Sequence, residues 1–444
     1  MKSVVSYLSV EVPGISISIF RIFFGLILTL QSLYWIGIGF IQKNILDPTF
    51  LFPFLESIKP LGDNLMIYGL SGILLISSIL ILSNKFYRTG LLIYLCSFTY
   101  LWMLCQGYFN NHYYLISIIC FLLIFSSSPF SNTEKTRVPR IHLYSLTGLI
   151  VSVYFIAGIN KINPYWLFDI QPMTFILTEI GINEESILIS IFSYMGLLFD
   201  LLIGPILLFK KTRLFGVMFS ILFHLLNFII FILIGGEIGF FPFIMIASLI
   251  LFIDPNWLER KFLTNNARLL SRQKFNINIT YILLLFLSLQ ILIPFRHIFF
   301  KGYVDYNGIG QRFSWRLKNM YKEPKTAGLI EFKVLTSKKD TVSTFNLDNI
   351  YKAGIKLTDR QKTNLIYYPN MIPIFAKKIE KKFQELISNT DFDFIVTGKC
   401  EIGFMGRNSE LLFSPEIDLT NVSSLTYKTN TWLNPLKTKP WDIK

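Results

Sequence analysis

The chain has 444 residues, of which 52% are hydrophobic and only 16% charged, with a mean hydropathy of +0.50; a soluble protein carries about 25% charged residues. With 43 Phe and 21 Tyr, this balance excludes a disordered chain, a fibrous repeat and an ordinary soluble enzyme, and it indicates an integral membrane protein. The net charge of +14 is dispersed, with no basic run of four residues, so it reads as orientation in a bilayer and not as nucleic-acid binding.

Apolar segments near residues 17–40, 65–82, 90–106, 113–128, 143–160, 186–209, 214–234, 238–253 and 279–298 predict a mainly α fold. That fold is a polytopic helical bundle of about nine spans over residues 1–298, although several segments fall short of the roughly 20 residues a spanning helix prefers. The first is too long, and its flank too weakly charged, for a cleaved signal peptide, so an uncleaved anchor is expected.

Numbering the loops alternately separates the cations. One set holds Lys2, Lys85, Arg88, Lys135, Arg137, Arg140, Lys210, Lys211, Arg213, Arg260, Lys261, Arg268, Arg272 and Lys274. The other holds Lys43, Lys59 and Lys161 beside Asp47, Glu56, Asp63, Asp169, Glu179, Glu184, Glu185 and Glu237. Positive loops stay in the cytoplasm, which predicts a cytoplasmic amino terminus and an exterior C-terminal region.

Past residue 299 the composition turns polar, and residues 299–444 are expected to form an extramembrane α+β domain. Ile330, Phe332 and Val334 alternate with Glu331 and Lys333, and Phe392, Phe394 and Val396 alternate with Asp393 and Ile395, as in half-buried strands. Ile372, Phe375, Ile379, Phe383 and Leu386 recur at helical spacing opposite Lys377, Lys378, Lys381 and Lys382, which predicts one amphipathic helix.

Polar residues at the membrane edge are where function is sought first. Asn110, Asn111 and His112 occupy a short turn, as a helix cap or as site residues. In YFIAGINKINPYW, from Tyr154 to Trp166, Pro164 cannot continue a helix and pushes Asn163 toward extended geometry, which puts Lys161 in the last helical turn. Lys161 either snorkels to the headgroups or acts as a desolvated base; an unperturbed lysine is neutral only about once in 10³ at pH 7, a deficit of roughly 4–5 kcal/mol.

Arg296 and His297 end the last apolar segment, followed by Arg312, Trp315 and Arg316 in an aromatic and basic strip. Deeper in the bundle His224 and Asn227 lie one turn apart, as a helix-to-helix hydrogen bond or a ligand contact. Asp200, also intramembrane, needs a partner such as Arg213 or a hydroxyl. His142 is placed in a cytoplasmic loop without a role.

No metal site is expected. Cys96, Cys105, Cys120 and Cys400 contain no C-x-x-C pair and the four histidines form no H-x-x-x-H or H-E-x-x-H pattern. A G-x-S-x-G elbow and a glycine-rich phosphate loop are also missing from the sequence.

Taken in order, NNHYYL, YFIAGINKINPYW, FDLLIGP, TRLFGVMFSILFHLLN, LIPFRHIFFKGY, RFSWR, LTDRQ, YYPNMI and FSPEIDL resemble segments of the vitamin K-dependent γ-glutamyl carboxylases and their bacterial transmembrane relatives. The resemblance implies an enzyme that couples oxygenation of a reduced naphthoquinone, a reduced vitamin K of the menaquinol type, to carboxylation of peptide glutamate with O₂ and CO₂, without a metal. It implies that Lys161 is the base toward the hydroquinone, that His112 stabilises the anion formed, and that His297 lines the same site. Asn111, Asn160, Trp166, His224, Asn227, Arg312, Trp315 and Arg316 are then expected to bind the quinone or the substrate.

The implied partners are membrane lipid, the quinol and a Glu-containing peptide or protein. The implied location is a bacterial inner membrane with the C-terminal domain in the periplasm. That domain carries 23 Lys or Arg against 15 Asp or Glu, which suits an anionic peptide held by the strip from Arg312 to Arg316, or else internal bracing. The family's eukaryotic enzymes have a lysine pair where this chain has Asn160 and Lys161, an acidic residue at the place of Asn163, and a much longer chain. Two other readings are a quinol oxygenase without carboxylation and a noncatalytic membrane component with a quinone or lipid pocket.

Overall fold

The computed structural model describes residues 2–126, 129–236, 238–264, 266–386 and 394–439. Three residues used above, Glu237, Phe392 and Asp393, lie outside them. After α1 (Lys2–Ser9) and β1 (Glu11–Pro13) come the apolar helices α2 (Ile15–Gly37), α3 (Asn64–Leu82), α4 (Tyr87–Met103) and α5 (Asn111–Phe125). β2 (Glu134–Pro139) leads into α6 (Arg140–Asn160), the short α7 (Pro164–Leu167) and α8 (Met173–Thr178), then α9 (Ile187–Leu208) and α10 (Arg213–Leu233). α11 (Phe241–Ser248), α12 (Pro255–Phe262), β3 (Arg268–Arg272) and α13 (Ile277–Leu292) complete the bundle.

Among the described residues six helices are long and apolar enough to cross a membrane, namely α2, α3, α6, α9, α10 and α13 with its 3₁₀ continuation to Phe299. The count rises to seven if the bent pair Phe241–Phe252 and α12 is one span, so nine spans is not the observed number. The reason is length: α4 has 17 residues and α5 has 15, and at about 1.5 Å per residue neither matches a hydrocarbon core of about 30 Å. The bent pair turns by 95° where the Asp254 carboxylate caps a new helix and Pro255 occupies its first turn.

Small residues set the helix spacing that matters for the site. At Gly158 of α6 an added Cβ would lie 2.8 Å from the Leu201 backbone nitrogen on α9. Only a hydrogen there lets the two helices approach so closely, as small residues do at helix contacts in membranes.

The alternating loops separate in space as the charges suggest. β2 pairs antiparallel with β1 (Val12 opposite Val138) and parallel with β3 (Glu134 opposite Arg268), which joins three segments of the basic set. Arg137 there donates to both carboxylate oxygens of Glu259, at 2.5 and 3.1 Å. Loops of the other set meet the C-terminal region instead: Thr49 donates to the Lys356 carbonyl (2.8 Å), Asn364 to the Gly107 carbonyl (2.6 Å) and Arg407 to Asp169 (2.7 Å). His142 is not in a loop but in the first turn of α6, buried, with Nε2 3.0 Å from Gln273.

The C-terminal region holds α14 (Val304–Asn307), β4 (Lys322–Pro324), β5 (Glu331–Thr336), β6 (Thr341–Asn346), α15 (Asp359–Tyr367), α16 (Met371–Leu386), β7 (Phe394–Lys399), β8 (Glu401–Phe404) and β9 (Ser409–Leu411). β5 is the centre of an antiparallel β6-β5-β7 sheet, and β8 the centre of a second, β4-β8-β9. The expected alternation holds in β5, whose Phe332 and Val334 are fully buried. Ile372, Phe375, Ile379 and Phe383 of α16 also face the core, while Leu386 is exposed, so the apolar stripe ends a turn early. α15 begins with a capping box in which the Thr358 hydroxyl accepts from the Gln361 amide at 3.1 Å and the Gln361 side chain from that of Thr358 at 3.0 Å.

Candidate functional site

A cavity of about 430 Å³ lies where α5, α6, α8, α9, α10 and α11 meet the strip after α14 and the end of α15. Its inner walls are apolar, with Ile176, Phe192, Leu226, Ile230, Phe241 and Met245 among them. Its other end is polar, and there the bundle contributes Asn110, Asn111, His112, Lys161 and Asp200 while the C-terminal region contributes Arg316, Lys318, Asn319, Asn364, Tyr367 and Tyr368.

Lys161 is the C-cap residue of α6, and Asn163 behind it is extended, its side chain accepting from the Trp166 amide at 3.1 Å to start α7. The chain therefore turns away while the Lys161 side chain remains with the bundle. It is buried and does not snorkel: Nζ donates to Oδ2 of Asp200 on α9 and sits 5.1 Å from the centre of the Trp166 ring. The Trp166 indole in turn donates to the Ser193 carbonyl at 3.1 Å. Arg213, the partner expected for Asp200, donates instead to the carbonyls of Leu207 and Leu208, both at 3.0 Å.

Deeper in the cavity Tyr154 and His224 share a hydrogen bond of 2.6 Å between Oη and Nε2. Asn227 lines the cavity but bonds back to the Phe223 carbonyl at 2.8 Å. His112, in the first turn of α5, faces the cavity with its ring against Tyr113 and Phe241. Asn110 holds the N-cap position of α5 without a capping bond from its side chain, so capping does not account for it. The buried Oδ1 of Asn111 and that of Asn319 have no hydrogen-bond partner.

Asn160 does not line the cavity. It fastens the end of α6 to the strip, accepting from Arg316 Nη1 and donating to the Ser314 carbonyl, both at 2.8 Å, while its own carbonyl accepts from Asn319 at 2.8 Å. Arg316 is buried and bonded through Nε and Nη2 to both oxygens of Asp305, at 2.8 to 3.0 Å. Burial alone lowers the pKa of this guanidinium, but Asp305 outweighs that cost and holds it above the usual arginine value.

Both arginines of the strip are thus inside the protein and not displayed on its surface. Arg312 is buried, donates to Gln106 at 2.8 Å, stacks 3.9 Å from the Tyr368 ring centre, and is driven down to a pKa of about 10 by burial. Trp315 is 1% exposed and stacks on Tyr114. Both are outside the cavity lining, as is His297, whose Nδ1 lies 3.0 Å from the Pro294 carbonyl and whose Cβ would be 2.8 Å from a Cβ at Gly310.

The cavity thus gathers Asn111, His112, Lys161, Trp166, His224, Asn227 and Arg316 of the expected residues, and leaves out Asn160, His297, Arg312 and Trp315. Sequence reasoning did not single out Lys318, Asn319 or Tyr368, although the first two adjoin the strip and Tyr368 lies in the YYPNMI segment. It saw Asp200 without its partner. Among the described residues no three His, Cys, Asp or Glu side chains are grouped as metal ligands.

Comparison with known families agrees with this architecture in both halves. No solved structure matches the chain. The family model of the HTTM domain matches residues 11–257, and that of the vitamin K-dependent gamma-carboxylase lumenal domain matches residues 275–439. An HTTM helical bundle followed by a gamma-carboxylase lumenal domain covers nearly the whole chain, and the protein belongs to the vitamin K-dependent gamma-glutamyl carboxylase family.

Proposed function

We propose that this protein is a membrane carboxylase that uses a reduced naphthoquinone, O₂ and CO₂ to carboxylate glutamate in a peptide. The observation that carries the reading is the buried pair of Lys161 and Asp200 in the wall of a cavity that His112 also lines. A pocket of about 430 Å³ has the size of a small-ligand site. Two buried amide oxygens without partners, Asn111 Oδ1 and Asn319 Oδ1, fit a flat apolar ring that carries hydroxyl donors. A reduced naphthoquinone bound there supplies, with O₂, a base far stronger than any side chain.

The chain's own residues supply the rest. An ammonium beside a carboxylate and an amine beside a carboxylic acid differ by one proton shift, and the second pair has no charge to solvate. Asp200 holds the Lys161 head group in the cavity wall and balances the charge that Lys161 carries once it has taken a proton from a ligand. Lys161 takes a hydroxyl proton, His112 donates a hydrogen bond to the anion left behind, and the Tyr154–His224 bond holds the floor of the cavity. Apolar walls exclude water that would quench a strong base or a carbanion.

Residues 1–298 form the membrane domain in this reading and residues 299–444 the substrate-facing domain, outside the cytoplasm of a bacterial cell. Orientation is tested by labelling introduced cysteines in intact cells, since Cys400 is buried. Lys338→Cys should react with an impermeant reagent and Lys211→Cys should not; the reverse pattern inverts the topology.

The activity is tested with purified protein in nanodiscs, reduced naphthoquinone, labelled CO₂ and a Glu-containing peptide, with epoxide and carboxylate measured separately. Both products are expected. Epoxide alone means a quinol oxygenase, and neither product removes the enzymatic reading.

A further inference from the structure

The cations around the cavity are not equally matched. Lys161 has Asp200 and Arg316 has Asp305. Lys318 also lines the cavity, yet it forms no ion pair with a carboxylate among the described residues, and its Nζ sits 4.1 Å from the centre of the Phe231 ring. Its side chain is exposed and borders the cavity. The protein packed around the cavity and, less strongly, the nearby Arg360 guanidinium on α15 lower its pKa to about 8, which still leaves a cation at neutral pH.

The backbone aims it there. Phe313, Trp315 and Lys318 have φ of +60°, +53° and +56°, a left-handed conformation that non-glycine residues adopt in a few per cent of cases. Three such residues fall within six positions of the strip. They turn the strip so that Arg316, Leu317, Lys318, Asn319 and Met320 all border the cavity.

We propose that Lys318 is the residue that recognises the substrate's carboxylate, holding the anionic side chain of the peptide glutamate at the mouth of the cavity. This inference rests on the carboxylase reading for the identity of the peptide. An ammonium with no carboxylate partner among the described residues favours an anion over its neutral amide counterpart, because the amide leaves the cation uncompensated. Lys318 thereby selects glutamate over glutamine.

The test measures, by fluorescence anisotropy on protein in nanodiscs without quinone, the affinity of a Glu peptide and of the same peptide carrying Gln. Wild type should prefer Glu by about tenfold or more. Lys318→Met should reduce that preference to less than about twofold with an unchanged thermal unfolding midpoint, and Lys318→Arg, which keeps the charge, should retain it. No Glu preference in wild type, or an equal preference in Lys318→Met, overturns the inference.

Turnover in the same preparations separates the two claims. A Glu preference that depends on Lys318 without epoxide or carboxylate removes the enzymatic reading and keeps the recognition site. Turnover with an unaltered KM for the Glu peptide in Lys318→Met does the opposite.

Discussion

Lys161, at the end of α6, donates from Nζ to Oδ2 of Asp200 in the middle of α9, and both side chains are buried. The two residues are 39 apart in the chain and are brought together because Gly158 lets the helices touch. Removing either partner of such an ion pair strands the other as a buried charge.

Replacing each partner should therefore give different defects. Lys161→Ala should lower quinol epoxidation by about 10³-fold or more, as expected when a general base is removed. Asp200→Asn should lower it less, by about 10–100-fold, and shift the pH–rate profile, because the amine remains but loses its proton partner. The double variant should be no worse than Lys161→Ala. Epoxide measured by chromatography across pH checks this, and a double variant slower than both singles by the product of their effects would separate the two residues.

Arg316→Ala should act on folding. With Asp305 left buried and unpaired, stability should fall by about 3–5 kcal/mol, read as a lowered unfolding midpoint in detergent. Asp305→Asn should fall by a similar amount. A variant Arg316→Ala with wild-type stability and a salt-dependent loss of peptide affinity would return the strip to the role of a docking surface.

The two histidines expected in one site should part company. His112 lines the cavity and His297 does not, so His112→Ala should reduce kcat by about 10²-fold or more. His297→Ala should stay within about threefold of wild type in kcat, since its loss removes only packing against Gly310 and a bond to a local carbonyl. Equal losses in both variants would place His297 at the reacting atoms.

The preference for Glu over Gln peptide should depend on pH in a stated direction. Lys318 titrates near pH 8, lowered by the protein packed around the cavity and then by Arg360, so it is charged below that pH and neutral above it. The preference should be full at pH 6.5 and decline as pH rises past about 8. A bound carboxylate moves the midpoint upward. The other charged groups near the cavity among the described residues are Arg360 and the Lys161–Asp200 and Arg316–Asp305 pairs, all of which persist in Lys318→Met; that variant should therefore show a flat profile in the same anisotropy measurement.

Much of this protein was legible in its sequence. Apolar runs marked the helices and composition marked the change of character near residue 299. Alternation marked β5, and helical spacing marked α16, because each of these depends on the solvent a short segment faces and not on distant contacts. Lys161 and His112 could be singled out for a similar local reason, since a polar residue at a membrane edge is costly wherever the rest of the chain goes. The number of membrane crossings was not legible, because the break at Asp254 and Pro255 and the shortness of α4 and α5 are matters of where helices stop in three dimensions. Nor was the partner of Asp200, since Arg213, a turn or so beyond the end of its own helix, was near in sequence while Lys161 was near only through the Gly158 contact. The strip from Arg312 to Arg316 looked like a basic surface from composition. Tertiary structure buried it, paired Arg316 with Asp305 and turned Lys318 toward the cavity, because a left-handed backbone decides the direction of a side chain and nothing in the residue names announces it.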